Sequence, residues 1–106
     1  MFDINGREWR IFLVSPNHPE LTRPDGTPTL GSCNNTKSSI YINDMLNAEM
    51  TWRVLCHEIT HAAMYSYNVL LNVNQEELLA DLVATYGYEI IDITNILFQK
   101  LKGTAF

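Results

Sequence analysis

The amino-acid sequence predicts an α+β fold in which a three-stranded sheet packs against two long helices. The first 45 residues hold short runs of β-branched and aromatic residues separated by Pro, Gly and Asn, as short strands and their turns require. From about residue 48 to about residue 100, apolar residues recur at the spacing of amphipathic helices. A chain of 106 residues suits one hydrophobic core, so we expect residues 1–106 to form a single domain.

Three segments are the predicted strands. Residues 7–15 alternate loosely and then become continuously apolar, which indicates a strand buried in a sheet. Residues 29–33 and 39–42 are shorter, and the residues 34–37 between them have the sequence Asn-Asn-Thr-Lys, which is typical of a turn. We therefore expect these two strands to form a hairpin.

Two helices are predicted to follow. Asn47 is the expected N-cap of a helix over residues 48–66, because Asn side chains accept hydrogen bonds from the first free backbone N–H groups. After a short connection, a second helix should run from about Gln75 to about Lys100, with Gly103 as its stop. Helical spacing of its apolar residues predicts that one face is core. The residues of this face are Leu79, Leu82, Val83, Tyr86, Ile90, Ile93 and Leu97.

Composition narrows the function classes. The formal net charge is −5, which argues against nucleic acid or an anionic membrane as the main partner. No stretch has the features of a signal peptide or a membrane span, so we expect a cytoplasmic protein. Two cysteines are too few for a disulfide framework, and we expect Cys33 and Cys56 to be free thiols.

The residues with the most specific chemistry lie in the first helix, where His57-Glu58-Ile59-Thr60-His61 has the pattern H-E-x-x-H. Positions four apart share one helix face, so both imidazoles are able to bind one tetrahedral Zn²⁺. Glu58 is placed to take a proton from a metal-bound water. The spacing therefore predicts two metal ligands, His57 and His61, and a general base, Glu58.

A third ligand is expected near the start of the second helix. Glu77 and Asp81 are four residues apart and share a face there. Asn74 and Glu77 also have the spacing of a capping box. If Glu77 capped the helix, Glu76 or Asp81 would have to be the third ligand, and the spacing alone leaves these alternatives open.

H-E-x-x-H followed by Glu77-x-x-x-Asp81 resembles the gluzincin metallopeptidases, the thermolysin-like clan. The segment Glu77-Leu78-Leu79-Ala80-Asp81 is similar to the E-x-x-A-D of ImmA/IrrE-type peptidases of phages and mobile elements, and the chain length resembles minigluzincins. The resemblance covers residues 31–88 and implies a minimal zincin-like fold. It implies that Glu77 is the third zinc ligand and that Asp81 receives the N–H of His57. The gap between His61 and Glu77 is shorter than in thermolysin, which implies a tight connecting loop.

The resemblance also implies a substrate site. The strand at residues 29–34 would be a sheet edge along the cleft, where a peptide or protein substrate binds by strand addition. The expected function is zinc-dependent peptide-bond hydrolysis. The alternative is a catalytically silent, zinc-stabilised binding or regulatory module of a mobile element, and such a site has no use for an acid beside its first ligand. Two histidines and one carboxylate also suit iron, so the sequence leaves the identity of the metal open, and zinc is the one expected.

Two further features are left open by the sequence. Gluzincins use a Tyr or His to stabilise the oxyanion, and the sequence does not choose among its candidates. These are Tyr65, Tyr67, Tyr86, Tyr88 and His18. A second hypothesis is that Phe106 and its carboxylate fold back to the metal and make the chain latent.

Overall fold

The computed structural model describes residues 1–105, which form an α+β fold with two helices on a four-stranded mixed sheet. The strands are β1 (Phe2–Ile4), β2 (Arg7–Val14), β3 (Gly31–Asn34) and β4 (Ser39–Asn43), and the helices are α1 (Ala48–Ser66) and α2 (Val73–Ala105). One turn of 3-10 helix, Pro19–Leu21, lies between β2 and β3. The fold class is as predicted, but the sheet has four strands where three were expected.

The additional strand, β1, pairs antiparallel with β2 through a two-residue turn at Asn5 and Gly6. Both turn residues have positive φ, 51° and 77°, which is the conformation that a type I′ hairpin requires and that Asn-Gly adopts most readily. The Asn-Gly pair was the signal in the sequence that predicts this hairpin, and the three-stranded prediction overlooked it.

The strand order is β1-β2-β4-β3. β2 and β4 are parallel, and β3 pairs antiparallel with β4, so β3 forms the hairpin expected with β4 and lies at one edge of the sheet. The prediction that β2 is buried was wrong for its second half. Ile11, Phe12 and Leu13 are 40%, 41% and 66% exposed, because α1 packs over β3 and β4 and leaves this part of β2 uncovered.

The core lies between the sheet and α1. Its buried members are Trp9, Ile40, Ile42, Val54 and Ala62. The indole Nε1 of Trp9 donates a hydrogen bond of 2.8 Å to the Ser66 hydroxyl at the end of α1. A buried indole N–H needs such a partner. This contact fixes the end of α1 against β2 and thereby sets the position of the helix on the sheet.

Helix α1 has the predicted bounds, and Asn47 is its N-cap, with the side chain accepting a 2.8 Å hydrogen bond from the Met50 N–H. Helix α2 begins earlier than predicted. Its capping box is formed by Asn72 and Gln75, which exchange side-chain-to-backbone hydrogen bonds of 2.8 and 3.2 Å. The suggested box of Asn74 and Glu77 is therefore wrong, and the Glu77 carboxylate is available for another role.

Helix α2 also differs from its prediction at its far end and on its predicted core face. It continues through Gly103 to Ala105, so Gly103 is not a stop, and Phe106 lies outside the described residues. The predicted core face is wrong for six of its seven residues: Leu79, Leu82, Tyr86, Ile90, Ile93 and Leu97 are 37–55% exposed, whereas Val83 is half-buried beside α1. The side of α2 that packs on α1 instead buries Ala80 and Ala84. None of the helices within residues 1–105 is long and apolar enough to cross a membrane.

Candidate metal centre

The candidate site lies where the middle of α1 faces the first turns of α2. His57 and His61 are one turn apart on α1 and point to the same side. The connection between the helices, residues 67–72, is short, and it brings the start of α2 directly beside them. As a result Glu77 joins the two histidines in a group able to hold a metal ion.

The nitrogen and oxygen atoms of this group that could bind a metal lie close together. His57 Nε2 lies 3.3 Å from Glu77 Oε2, and His61 Nε2 lies 2.9 Å from Glu77 Oε1. The two Nε2 atoms are 3.2 Å apart. A Zn²⁺ held about 2.0–2.1 Å from tetrahedral ligands separates those ligand atoms by roughly 3.3 Å. The three side chains are therefore close enough for one ligand atom of each to bind the same metal ion.

The other nitrogen of each imidazole is held by a carboxylate. His57 Nδ1 is 3.0 Å from Asp81 Oδ1, and His61 Nδ1 is 2.6 Å from Glu76 Oε1. Ionised carboxylates only accept hydrogen bonds, so the tautomer that carries its proton on Nδ1 fits both contacts, and in that tautomer the lone pair of each ring is on Nε2. That tautomer turns both Nε2 lone pairs toward the Glu77 carboxylate, which is the orientation that metal-binding histidines need.

The pairing of Glu76 with His61 was not predicted. The sequence interpretation treated Glu76 only as a substitute third ligand. In the structure the Glu76 side chain is 17% exposed, and its carboxylate lies beside Nδ1 of His61. The carboxylate of Glu77, the next residue, lies beside the Nε2 atoms of both histidines. The signal in the sequence was the pair of adjacent acids, because a second histidine ligand also needs a partner for its Nδ1.

Glu58 is buried beside the group, with 7% of its surface exposed. Burial raises the pKa of this carboxyl to about 7, an effect that nearby His61 opposes and Glu77 reinforces. Its side chain lies directly under β3: a Cβ at Gly31 would sit 3.3 Å from Glu58 Oε2. The absence of a side chain at Gly31 therefore gives the Glu58 carboxylate its space.

An open cleft of about 1040 Å³ runs between β3 and the two helices. One wall is the edge strand, from Leu30 to Cys33, and the floor includes His57, Glu58 and His61. The Glu77 side chain is 51% exposed on this side. The metal group is therefore accessible from the cleft, which a catalytic site needs and a closed structural site does not.

Only Tyr65, of the five residues considered as oxyanion donors, is among the residues that line this cleft. Its ring stacks on His61 with centroids 6.4 Å apart, and burial together with the Glu76 carboxylate raises its pKa to about 12. Tyr67, Tyr86 and Tyr88 are 55–73% exposed. His18 stacks on Tyr41 and accepts a hydrogen bond from the Glu20 N–H.

The cysteines are free, as expected. Cys33 lines the cleft, and burial, assisted by the negative charge of Glu58, raises the pKa of its thiol to about 12. The Cys56 thiol lies 3.9 Å from the carbonyl of Val83 on α2. Neither thiol belongs to the group of side chains that is able to hold a metal.

In comparisons with known proteins, no family model, no curated protein and no solved structure matched this chain.

Proposed function

We propose that this protein is a zinc-dependent metallopeptidase of the gluzincin type. The observation that carries the proposal is the convergence of three metal-ligating atoms, on His57, His61 and Glu77, next to the buried carboxyl of Glu58. A structural zinc site is usually closed by four protein ligands. Three ligands, an accessible cleft and an adjacent acid are the arrangement of a hydrolytic site.

Zinc is the metal we propose, because two histidines and one carboxylate are a common catalytic zinc set. When bound, the ion supplies two effects: it polarises a substrate carbonyl and lowers the pKa of a water molecule. Asp81 and Glu76 keep His57 and His61 in the tautomers whose Nε2 lone pairs face the ion.

Glu58 is the proposed general base. It accepts a proton from the attacking water while the bond from the water oxygen to the carbonyl carbon forms. It then delivers that proton to the amide nitrogen as the C–N bond breaks, so the reaction releases a carboxylic acid and an amine. A carboxyl whose pKa is raised by burial suits a group that both accepts and returns a proton near neutral pH.

The proposed substrate site is the free edge of β3. Next to the first pair of the β3–β4 ladder, Gly31 and Ile42, the Asn43 N–H donates a backbone hydrogen bond of 3.0 Å to the carbonyl of Leu30, the residue before β3. Hydrogen-bonded and non-hydrogen-bonded pairs alternate along antiparallel strands, so the backbone N–H and C=O groups of Gly31 and Cys33 face away from β4. The Gly31 carbonyl also accepts a hydrogen bond of 3.2 Å from the Thr29 hydroxyl. An extended peptide is able to pair with these backbone groups, which would hold its backbone across the floor that carries Glu58.

The test compares wild-type protein with His57→Ala and Glu58→Gln. Elemental analysis after purification with supplied zinc should find one zinc per chain in wild type and Glu58→Gln, and none in His57→Ala. Cleavage of a peptide library, read by mass spectrometry, should occur with wild type only. Loss of cleavage in Glu58→Gln with full zinc excludes a contaminating peptidase as the source of activity.

The same experiment decides against the alternative of a silent binding module. Such a module would hold zinc but cleave no peptide, and Glu58→Gln would then differ from wild type in nothing but charge. A wild-type protein that takes up no zinc would reject both the peptidase and the zinc-stabilised module.

A further inference from the structure

Two arginines line the cleft outside the metal group. Arg53 is four residues before His57 on α1, so it lies on the same helix face, roughly 6 Å further along the helix axis. Arg23 lies in the loop between the 3-10 turn and β3. Both residues are exposed, and both line the cleft that contains the metal group. The cleft therefore carries positive charge of its own, apart from any metal.

The two arginines lie at the same end of the cleft. The Arg23 N–H donates a hydrogen bond of 2.9 Å to the Thr27 carbonyl, which closes a loop just before β3. At the start of β3, a Cβ on Gly31 would lie 2.5 Å from Val54 Cγ1, and Val54 directly follows Arg53. We call this end, where β3 begins, the arginine end of the cleft.

Neither arginine is held by a strong ion pair. The Arg53 guanidinium lies 4.0 Å from Glu49, whose side chain is 84% exposed, and such a surface pair contributes little. The Arg23 guanidinium has no hydrogen bond or ion pair within residues 1–105. Its nearest acid in the sequence, Asp25, instead accepts hydrogen bonds of 2.9 and 2.6 Å from the Thr27 N–H and hydroxyl. Both guanidinium groups are therefore able to bind an incoming anion.

The acids that line the cleft already have partners or roles in the metal group. Glu77 lies beside the Nε2 atoms of both histidines, and Asp81 lies 3.0 Å from His57 Nδ1. Glu58 is the buried carboxyl beside them. Among the described residues that line the cleft, these three are the only acids. The arginine end therefore has two cations that the cleft itself does not neutralise.

A peptide bound along β3 would pass over the arginine end. A peptide paired with Gly31 and Cys33 lies above Glu58, because Glu58 is packed under Gly31, and its continuation beyond Gly31 reaches this end. Residues of an extended chain advance about 3.3 Å each, and Arg53 is roughly 6 Å along the helix from His57. Arg53 is therefore opposite a substrate residue about two or three positions from the cleaved bond.

A carboxylate is the substrate group that this end suits best. A planar guanidinium pairs with a carboxylate through two parallel hydrogen bonds, and a bound peptide that excludes water strengthens the attraction. The chain as a whole has a net charge of −5, which disfavours an acidic peptide elsewhere on its surface. The charge at the arginine end therefore has the sign opposite to that of the whole chain.

We propose that the arginine end selects substrates with a carboxylate two or three residues from the cleaved bond, supplied by an Asp or Glu side chain or by the C terminus of the peptide. This substrate preference rests on the proposed peptidase function, because it belongs to the same cleft. Arg23 and Arg53 are specificity residues that bind substrate away from the reacting atoms. Their removal should therefore raise KM and leave kcat unchanged.

The first test starts from a peptide that wild-type protein cleaves in the library. Each of its residues is changed in turn to Glu and to Gln, with both ends of the peptide blocked. Wild-type protein should cleave the Glu peptide with a kcat/KM roughly tenfold above that of its Gln counterpart when the change is two or three residues from the cleaved bond. The difference should lie in KM.

Arg23→Gln/Arg53→Gln should lose this preference and cleave the Gln peptides as wild type does. The matched control, Arg10→Gln/Lys102→Gln, removes two positive charges from residues that do not line the cleft and should keep the preference. Arg53→Glu should instead favour Lys at the same position. Circular dichroism and zinc content should be unchanged in all these variants, which separates loss of substrate binding from loss of folding.

The source of the carboxylate is tested with peptides that contain no acidic side chain. Their C terminus, placed two or three residues after the cleaved bond, is either free or amidated. Faster cleavage of the free form would identify the C-terminal carboxylate as a ligand of the arginine end, and preference for Glu alone would identify the side chain. Wild-type protein that prefers neither carboxylate, or a preference that survives in Arg23→Gln/Arg53→Gln, would overturn the proposal while peptide cleavage itself stands.

A binding experiment separates this proposal from the peptidase function. Immobilised, zinc-loaded Glu58→Gln protein is incubated with the same peptide library, and the retained peptides are identified by mass spectrometry. They should be enriched in carboxylates, and adding Arg23→Gln/Arg53→Gln should abolish the enrichment. Enrichment without cleavage by wild type would support the carboxylate site and reject the peptidase, whereas neither enrichment nor cleavage would reject both.

Discussion

The carboxylate of Glu76 lies 2.6 Å from Nδ1 of His61, on the opposite side of the imidazole from Glu77. Adjacent acids on α2 thus hold opposite nitrogens of one ring. On the other histidine, Asp81 Oδ1 lies 3.0 Å from Nδ1 of His57. Both candidate histidine ligands are therefore oriented by a carboxylate before any metal binds, which lowers the cost of arranging the site.

Removing the Glu76 carboxylate should weaken metal binding without removing a ligand. Glu76→Ala leaves His61 without its partner, and loss of such a contact typically reduces metal affinity by roughly 10- to 100-fold. Glu76→Gln should retain most of the affinity, because its amide oxygen is still able to accept the Nδ1–H bond. Competition with a chromogenic zinc chelator measures both variants. Equal affinity of Glu76→Ala and wild type would show that His61 needs no such support.

Zinc should stabilise the fold. His57, His61 and Glu77 come together only in the folded protein, and a ligand that binds only the folded state at 100 times its Kd adds about 2.7 kcal/mol. For a chain of this size that is on the order of 10 °C in Tm. Thermal melts with a chelator and with added zinc measure the shift.

The control for this shift is the pair His57→Ala and Glu58→Gln. His57→Ala loses a ligand, so its Tm should not respond to zinc. Glu58→Gln keeps all three ligand side chains and should respond as wild type does. If His57→Ala gained as much from zinc as wild type, the stabilising site would have to lie elsewhere on the chain.

Gly31 should not tolerate a side chain. A Cβ there would lie 2.5 Å from Val54 Cγ1 and 3.2 Å from Glu58 Cγ, so β3 and α1 must separate. Overpacking of this kind costs about 1–3 kcal/mol. Gly31→Ala should therefore lower the free energy of unfolding and, by moving Glu58, reduce peptide cleavage. Denaturant titration in the presence of chelator measures the first effect without a contribution from zinc.

Val54→Ala provides the rescue, because it removes the methyl group nearest to the new Cβ. The double variant should be less destabilised than the two single variants predict together, by about 1 kcal/mol. Gly103→Ala is the matched control, since a Cβ at Gly103 meets nothing within 4 Å. Strict additivity of Gly31→Ala and Val54→Ala would contradict the close approach.

The local chemistry of the sequence predicted α1 well. Its bounds and its Asn47 cap follow from short-range preferences, and the H-E-x-x-H spacing needs only a regular helix to bring His57 and His61 together. β1 was also accessible to prediction through the Asn5-Gly6 turn. In each case the information lies within a few residues of the element, which is where sequence patterns are most informative.

Properties that depend on tertiary packing could not be predicted from the sequence patterns. The pattern of α2 marks an apolar face but does not say what covers it, so Ile90 and Ile93 were wrongly predicted to be core. The roles of Glu76 and Glu77 differ by one position, about 100° around a helix. Which of them faces the Nε2 atoms depends on where α2 begins, and that is set by the Asn72–Gln75 cap.

The Cys33 thiol should be alkylated more slowly in the folded protein than in the unfolded chain, because it is buried. Its pKa is raised to about 12 from an ordinary value of 9.0, first by burial and then by Glu58. At about pH 8 the folded protein would hold on the order of 1000-fold less Cys33 thiolate than the unfolded chain, and thiolate is the form that is alkylated. In a Cys56→Ser background, iodoacetamide should modify folded protein far more slowly than protein in urea.

The same shift predicts how stability depends on pH. Below pH 9 the Cys33 thiol is neutral in both states and has no effect on folding. Between pH 9 and about pH 12 the unfolded chain loses this proton and the folded protein keeps it, so the free energy of unfolding should fall as pH rises. Cys33→Ala in the Cys56→Ser background should remove the fall between pH 9 and 10 and reduce it above pH 10, where Tyr65, whose pKa is also raised to about 12 from 10.0, still contributes. Burial is the largest cause of the raised Cys33 pKa, so adding Glu58→Gln should raise the alkylation rate of the folded protein only partly. If folded protein were alkylated as fast as protein in urea, the Cys33 thiol would not be buried.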